Sequence, residues 1–227
     1  QKIAEYVADE KTYIMAWTTT PWTLPGNVAL AVGNEIAYAI VEITETSEKC
    51  IVANDLVEKI FEGREFKKLS IIPGEKLVGL AYEPLYPFLS DLISGDQKEK
   101  IDRAFQVYPA GFVTTTDGTG IVHTAVMYGA EDFELGTAVG LPKFHTVNEE
   151  GKFISGTGFL EGRYVKESDE NGKPTLAVDI VDDLTRRNLL WKKENHMHSY
   201  PHCWRCDTPL LYYARTSWYF RMSALRD

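Results

Sequence analysis

Apolar residues along the chain come in short runs, often alternating with polar ones, the pattern of brief β-strands separated by tight turns. Residues 13–17 (YIMAW) are apolar and β-favouring, as in a buried strand that presents whatever follows it. Residues 37–44 (AYAIVEIT) alternate toward their end and predict a strand, with residues 50–53 as its partner. Asn54 or Asp55 is placed to cap a short helix through Val57, Ile60 and Phe61. A β-rich stretch then covers residues 70–72, 76–80 and 105–114, and Pro73, Pro84, Pro87 and Pro109 keep its strands short. Residues 119–124 predict another strand. Gly129 to Asp132 opens a helix through Leu135 and Val139 that Gly140 and Pro142 end. Beyond a polar loop at 166–173, Leu176, Ile180 and Leu184 share one face of a longer helix with Arg186 and Arg187 in its last turn, where cations suit the helix dipole. The expected fold is α+β: a distorted β-barrel with several short helices, not a doubly wound sheet. Residues 1–194 read as one domain and 195–227 as a C-terminal return segment.

Bulk composition narrows the function. The chain has 227 residues, 44% hydrophobic and 25% charged, enough to bury a substantial core. No apolar run approaches the roughly 20 residues that span a bilayer, and nothing at the start resembles a signal peptide, so no membrane partner is expected. A net charge of −9 argues against a broad grip on nucleic-acid backbone, while leaving room for a pocket that takes one nucleotide end. Three cysteines, Cys50, Cys203 and Cys206, make no disulfide framework and suggest a reducing, cytoplasmic setting. Gln1 and Asp227 read as cuts in a longer protein.

The chemistry concentrates in two places. WTTTPWTLPGN, from Trp17 to Asn27, sets three threonines beside two prolines, which are expected to hold the chain as a rigid extended ledge. Thr18, Thr19 and Thr20 would present hydroxyls and free amides on it, donors suited to an ester carbonyl or a water. A TTT run is also an ordinary strand edge. About a hundred residues later come His123, within a strand, and the acidic pair Glu131 and Asp132 on a Gly-rich turn. His123 suits either a half-buried wall or a general base, and the wall is favoured because no orienting carboxylate is visible beside it. Asp132 is placed to hold an α-ammonium by a charge-assisted hydrogen bond worth roughly 1.5–3 kcal/mol, although carboxylates favour the first turn of any helix. Gly118-Thr119-Gly120 is not a dinucleotide fingerprint, since the third glycine is missing. His196, His198 and His202 crowd around Cys203 and Cys206, whose spacing fits half of a zinc site.

These motifs, together with HSYPHCWRCDTPLLYYARTSWY, resemble the isoleucyl-tRNA synthetases over essentially the whole chain. The first two are similar to the threonine-rich and acidic walls of that family's editing domain, an insert in the class I catalytic domain. Related leucyl and valyl enzymes carry arginine after two threonines and an acidic residue after the proline; Thr20 and Trp22 stand there in this chain. The family's HIGH-like and KMSKS-like adenylation signatures are absent, so no aminoacylation is expected from this chain alone.

The resemblance implies hydrolysis of valine wrongly esterified to isoleucine tRNA, and of valyl-adenylate, with water as nucleophile, assisted by the substrate's free ribose hydroxyl. It implies that Trp17, Thr18, Thr19 and Thr20 line the pocket and that Thr23 and Asn27 support the ledge and the terminal adenosine. It further implies that His123 excludes isoleucine by size and that Asp132 anchors the ammonium. No cofactor or metal is expected for editing. Zinc belongs to the full-length protein, with Cys203 and Cys206 as half its site. The expected partners are the valine-bearing CCA end of the tRNA and the rest of the synthetase, the isolated domain being monomeric. Val126 and Met127 depart from the family's usual proline and small residue, which predicts a reshaped turn before Asp132. That departure supports a rival reading, an RNA-end binding module without turnover. The Cys/His cluster supports another, a zinc-binding interaction domain.

Overall fold

The computed structural model describes residues 12–194 and 201–224. Two sheets form the body. The first has four strands in the order β1 (Thr12–Ile14), β4 (Lys49–Ala53), β3 (Ala37–Ile43), β5 (Phe66–Pro73). Only the β1–β4 pair is parallel, and a register shift between Ile40 and Val41 bends β3 against β5. The second sheet has three strands in the order β6 (Gln106–Pro109), β2 (Ala29–Val32), β7 (Ile121–Thr124). There β2 runs parallel to β6 and antiparallel to β7, with Leu30 opposite His123.

The α+β class holds, but the sheets do not close into a barrel. Two stretches read as strands are not strands. Residues 74–76 make a 3-10 turn, and Gly79 takes φ +83, a left-handed conformation that ends extended structure. Pro109 ends β6, since it has no N–H for the ladder, and residues 111–114 continue without strand pairing. The two sheets share one apolar cluster, with Leu30, Val32, Tyr38, Ile40, Ile51, Val107 and Ile121 packed together. Tyr38 pins the cluster: its buried hydroxyl accepts from Gly33 N–H at 3.0 Å and donates to Gly120 C=O at 2.7 Å.

The helices fall close to where the apolar periodicity puts them. Residues 54–56 make a 3-10 turn running into α1 (Val57–Ile60), with neither Asn54 nor Asp55 capping through its side chain. A short α2 covers Phe88–Leu92. Next, α3 spans Ala130–Val139 and ends on Gly140 at φ +73. Last, α4 spans Leu176–Arg186 and buries Leu176, Ile180 and Leu184 in a second core with Trp22, Tyr128 and Phe153. No helix among the described residues is long and apolar enough to cross a membrane.

The turn into β7 depends on two glycines. Gly120, at φ +74, lies where an added Cβ would stand 2.4 Å from the Ala53 Cβ. Gly120→Ala is therefore expected to cost about 1–3 kcal/mol, seen as a lower urea midpoint at unchanged m-value.

Candidate active site

The threonine run is anchored on β7. Trp17 N–H donates to Ile121 C=O at 3.1 Å, and Trp17 bridges to Val122. Its indole lies over Gly118, where a Cβ would come within 2.7 Å of the ring, so the glycine permits this approach. Beyond Trp17 the chain is not extended. Pro21–Gly26 is a 3-10 helix, buried from Trp22 onward. The φ that proline enforces also suits a helix start, and Pro21 at N1 loses no hydrogen bond there. Nor is the Thr20 amide free, since it donates to Thr18 Oγ1 at 3.0 Å. The Thr20 carbonyl accepts from Thr23 N–H at 3.0 Å and Thr23 Oγ1 at 2.8 Å. The ledge is thus a closed hydrogen-bonded turn, with Thr18 and Thr20 partly exposed and Thr19 exposed.

Behind it lies a buried polar chain of known direction. Asn27 Nδ2 donates to Ala29 C=O at 3.0 Å, which fixes the amide's orientation. The same NH2 meets His123 Nδ1 at 2.7 Å, so Nδ1 accepts and the proton sits on Nε2. Nε2–H then faces Thr23 Oγ1 at 3.2 Å, whose own proton goes to Thr20 C=O. His123 is 6% exposed, and burial pushes its pKa down to about 4. It is a neutral imidazole with both nitrogens engaged, leaving no lone pair for a water. Asn27 is also buried and spends its amide on His123.

Asp132, in the first turn of α3, folds back over Gly129, and its Oδ2 accepts from Ala125 N–H at 3.0 Å. The other carboxylate oxygen makes no hydrogen bond among the described residues. Burial, and more weakly the neighbouring Glu131, raise the pKa to about 6 against the lowering effect of the Ala125 bond. The carboxylate faces a cleft of about 250 Å³ whose walls include Trp17, Val122, Glu131 and Asp132. Thr18, Thr19 and Thr20, expected to line the pocket with Trp17, are not among its lining residues, and neither are His123, Thr23 and Asn27. Strand alternation puts Val122 and His123 on opposite faces, so the histidine backs the threonine turn while valine faces the cleft. Val126 turns away, fully buried against Gly136 of α3. Neither Val126 nor Met127 lines this cleft.

A second cleft, of about 1070 Å³, lies on the other side of α3, between Ala130, Phe133 and Glu134 and the residues from Tyr212 to Thr216. The return segment closes it: Ala214 N–H donates to Met127 C=O at 2.9 Å, and Tyr213 stacks on His145 at 4.1 Å. Cys203 and Cys206 sit on a turn in which Cys203 N–H donates to Thr208 C=O at 2.8 Å. No group of three metal-ligating side chains occurs among the described residues; His196 and His198 lie outside them.

Two features of the site were not anticipated. Thr114, Thr116 and Thr119, and not Thr18 to Thr20, are the threonines that line the smaller cleft; their signal was another TTT run just before the Gly-rich turn. Tyr82 joins the polar chain by donating to Asn27 Oδ1, and nothing in the local sequence marked it.

Similarity to known proteins can now be set beside this geometry. No family model matches the chain. Over 219 residues it is 46% identical to the isoleucine–tRNA ligase of Clostridium novyi and 46% identical to that of Clostridium acetobutylicum. The chain belongs to the isoleucine–tRNA ligase family. The match covers 96% of this chain and 19% of each of those ligases. The chain thus spans about a fifth of the length of those ligases. Its fold is similar to the crystal structure of GlLeuRS-CP1, at a TM-score of 0.59 and 16% identity, over 85% of this chain and 89% of that one.

Proposed function

We propose that this segment is the proofreading site of an isoleucyl-tRNA synthetase, hydrolysing valine esterified to isoleucine tRNA, and valyl-adenylate. The observation that carries the reading is Asp132: a part-buried carboxylate, aimed by one backbone amide, in a small cleft shared with Trp17, the residue from which the threonine run leads on. It would hold the substrate's α-ammonium by a charge-assisted hydrogen bond. The hydroxyls of Thr18, Thr19 and Thr20 would then orient the ester and a water. Water adds to the ester carbonyl, the C–O bond to the ribose breaks, and the ribose oxygen takes up a proton as valine leaves. The ribose hydroxyl beside the ester assists the water, so no protein nucleophile is required.

Isoleucine differs from valine by one methylene, which a binding pocket separates by only roughly 1–3 kcal/mol, a figure established on isoleucyl-tRNA synthetases themselves. A second, smaller site supplies the missing discrimination. His123 acts here as the rigid back of the threonine turn and not as a base. The rest of the synthetase delivers the CCA end and covers the exposed Trp218, Tyr219 and Phe220. The net charge of −9 fits a domain that relies on that delivery.

The test is hydrolysis of Val-tRNA and Ile-tRNA, both on isoleucine tRNA, by this chain and by the full-length synthetase at moderate salt. Loss of valine with isoleucine spared supports the reading. Survival of both esters with the full-length enzyme overturns it.

A further inference from the structure

Resting on the proofreading reading, we propose that Tyr82 is a positioning residue for the selectivity of this site, holding the Asn27 amide so that His123 stays in its Nε2–H form against the threonine turn. Tyr82 lies beside β6 and lines neither cleft; its hydrogen bonds go to Asn27 and Phe105, not to a cleft residue. Its hydroxyl donates to Asn27 Oδ1. The amide it holds donates from Nδ2 to Ala29 C=O at 3.0 Å and to His123 Nδ1 at 2.7 Å. From there Nε2–H runs to Thr23 and the Thr23 hydroxyl to the Thr20 carbonyl, so four side chains drawn from three parts of the sequence are linked in one direction and end on a backbone C=O.

An asparagine amide is nearly symmetric in shape, and a neutral histidine has two tautomers of similar energy. Left alone, such a chain can run either way, and the position of the Thr23 hydroxyl, hence of the Thr20 carbonyl, would differ between the two. Tyr82 and the Ala29 carbonyl remove that freedom from opposite sides. The site is water-poor, with Asn27 and His123 each 6% exposed, so a missing donor is not replaced from solvent. The ring of Tyr82 packs edge-on against Phe105 at 6.2 Å, and Tyr82 N–H donates to Phe105 C=O at 2.9 Å. Tyr82→Phe thus keeps the packing and removes only the hydroxyl.

The experiment measures Val-tRNA and Ile-tRNA hydrolysis by full-length synthetases carrying Tyr82→Phe, His123→Ala and both. Tyr82→Phe is expected to lower the preference for the valyl ester about tenfold, the weight of one buried hydrogen bond. In the His123→Ala background it is expected to change nothing further, because the residue acts through that imidazole. Equal effects in both backgrounds, or none in either, overturn the proposal while leaving the proofreading reading intact if the unaltered enzyme still removes valine. A second readout needs no turnover. In the 15N-histidine-labelled chain, His123 is expected as the neutral Nε2–H tautomer, and Tyr82→Phe is expected to broaden or divide that signal. A wild-type His123 protonated on Nδ1, or a signal indifferent to Tyr82→Phe, would sink the positioning role whatever the esters do.

Discussion

Replacing Asp132 with alanine is expected to lower hydrolysis of the valyl ester tenfold or more, since even a modest charge-assisted hydrogen bond of about 1.4 kcal/mol corresponds to tenfold. Unchanged turnover would remove Asp132 from the mechanism. The carboxylate's pKa near 6 adds two further consequences. Binding an ammonium requires the ionised form, so hydrolysis should fall on acidification with a midpoint near that value, and the alanine variant should lose this limb. The stability consequence has the opposite sense. The folded pKa stands above the ordinary carboxylate value, so between the two the folded chain binds the proton more tightly than the unfolded one. The stabilisation of the protonated form is complete below about pH 4 and is lost as pH rises through about 6. Near neutrality the ionised Asp132 therefore destabilises the fold. Asp132→Asn, which can still accept from Ala125 N–H, should stabilise it there by on the order of 2 kcal/mol and by little near pH 4, while abolishing the editing limb. A melting-temperature series across that range checks the sign. A variant that loses both activity and stability at neutral pH would mean that the carboxylate is structural.

The sequence exposed the elements whose signal is local. The alternation of β3, the four-residue spacing of Leu176, Ile180 and Leu184, and the Gly140 stop all lie where periodicity and cap chemistry put them. Asp132 was legible for the same reason, as a first-turn carboxylate behind a glycine turn. What failed to show is what depends on tertiary partners. A proline-flanked segment has φ near −65° whether it is extended or 3-10, so Pro21 and Pro25 did not decide between them. Burial of Trp22 and Leu24 against α4 did, and periodicity cannot report that contact. Barrel closure failed similarly, because Gly79 and Pro109 shorten strands that composition alone lets run on. The roles of Asn27 and Tyr82 depend on contacts with His123 across 96 residues and with Asn27 across 55, distances at which a single sequence carries no pairing signal.

Loss of the His123 side chain should show most directly what that polar chain does. His123→Ala removes the imidazole between Asn27 and Thr23, taking one hydrogen bond from each partner in a buried space. The Thr23 hydroxyl and the turn above it lose the ring that backs them and become free to yield to the extra methylene of isoleucine. Hydrolysis of correctly charged Ile-tRNA is therefore expected to rise by roughly 10–200-fold, the discrimination one methylene normally carries in a fitted pocket. Val-tRNA hydrolysis should fall much less, because a neutral imidazole with both nitrogens occupied contributes no proton transfer. An essential general base behaves differently: its removal abolishes hydrolysis of both esters and leaves their ratio unchanged. The ratio of the two rates, more than either rate alone, separates a histidine that sets the size of the site from one that does its chemistry.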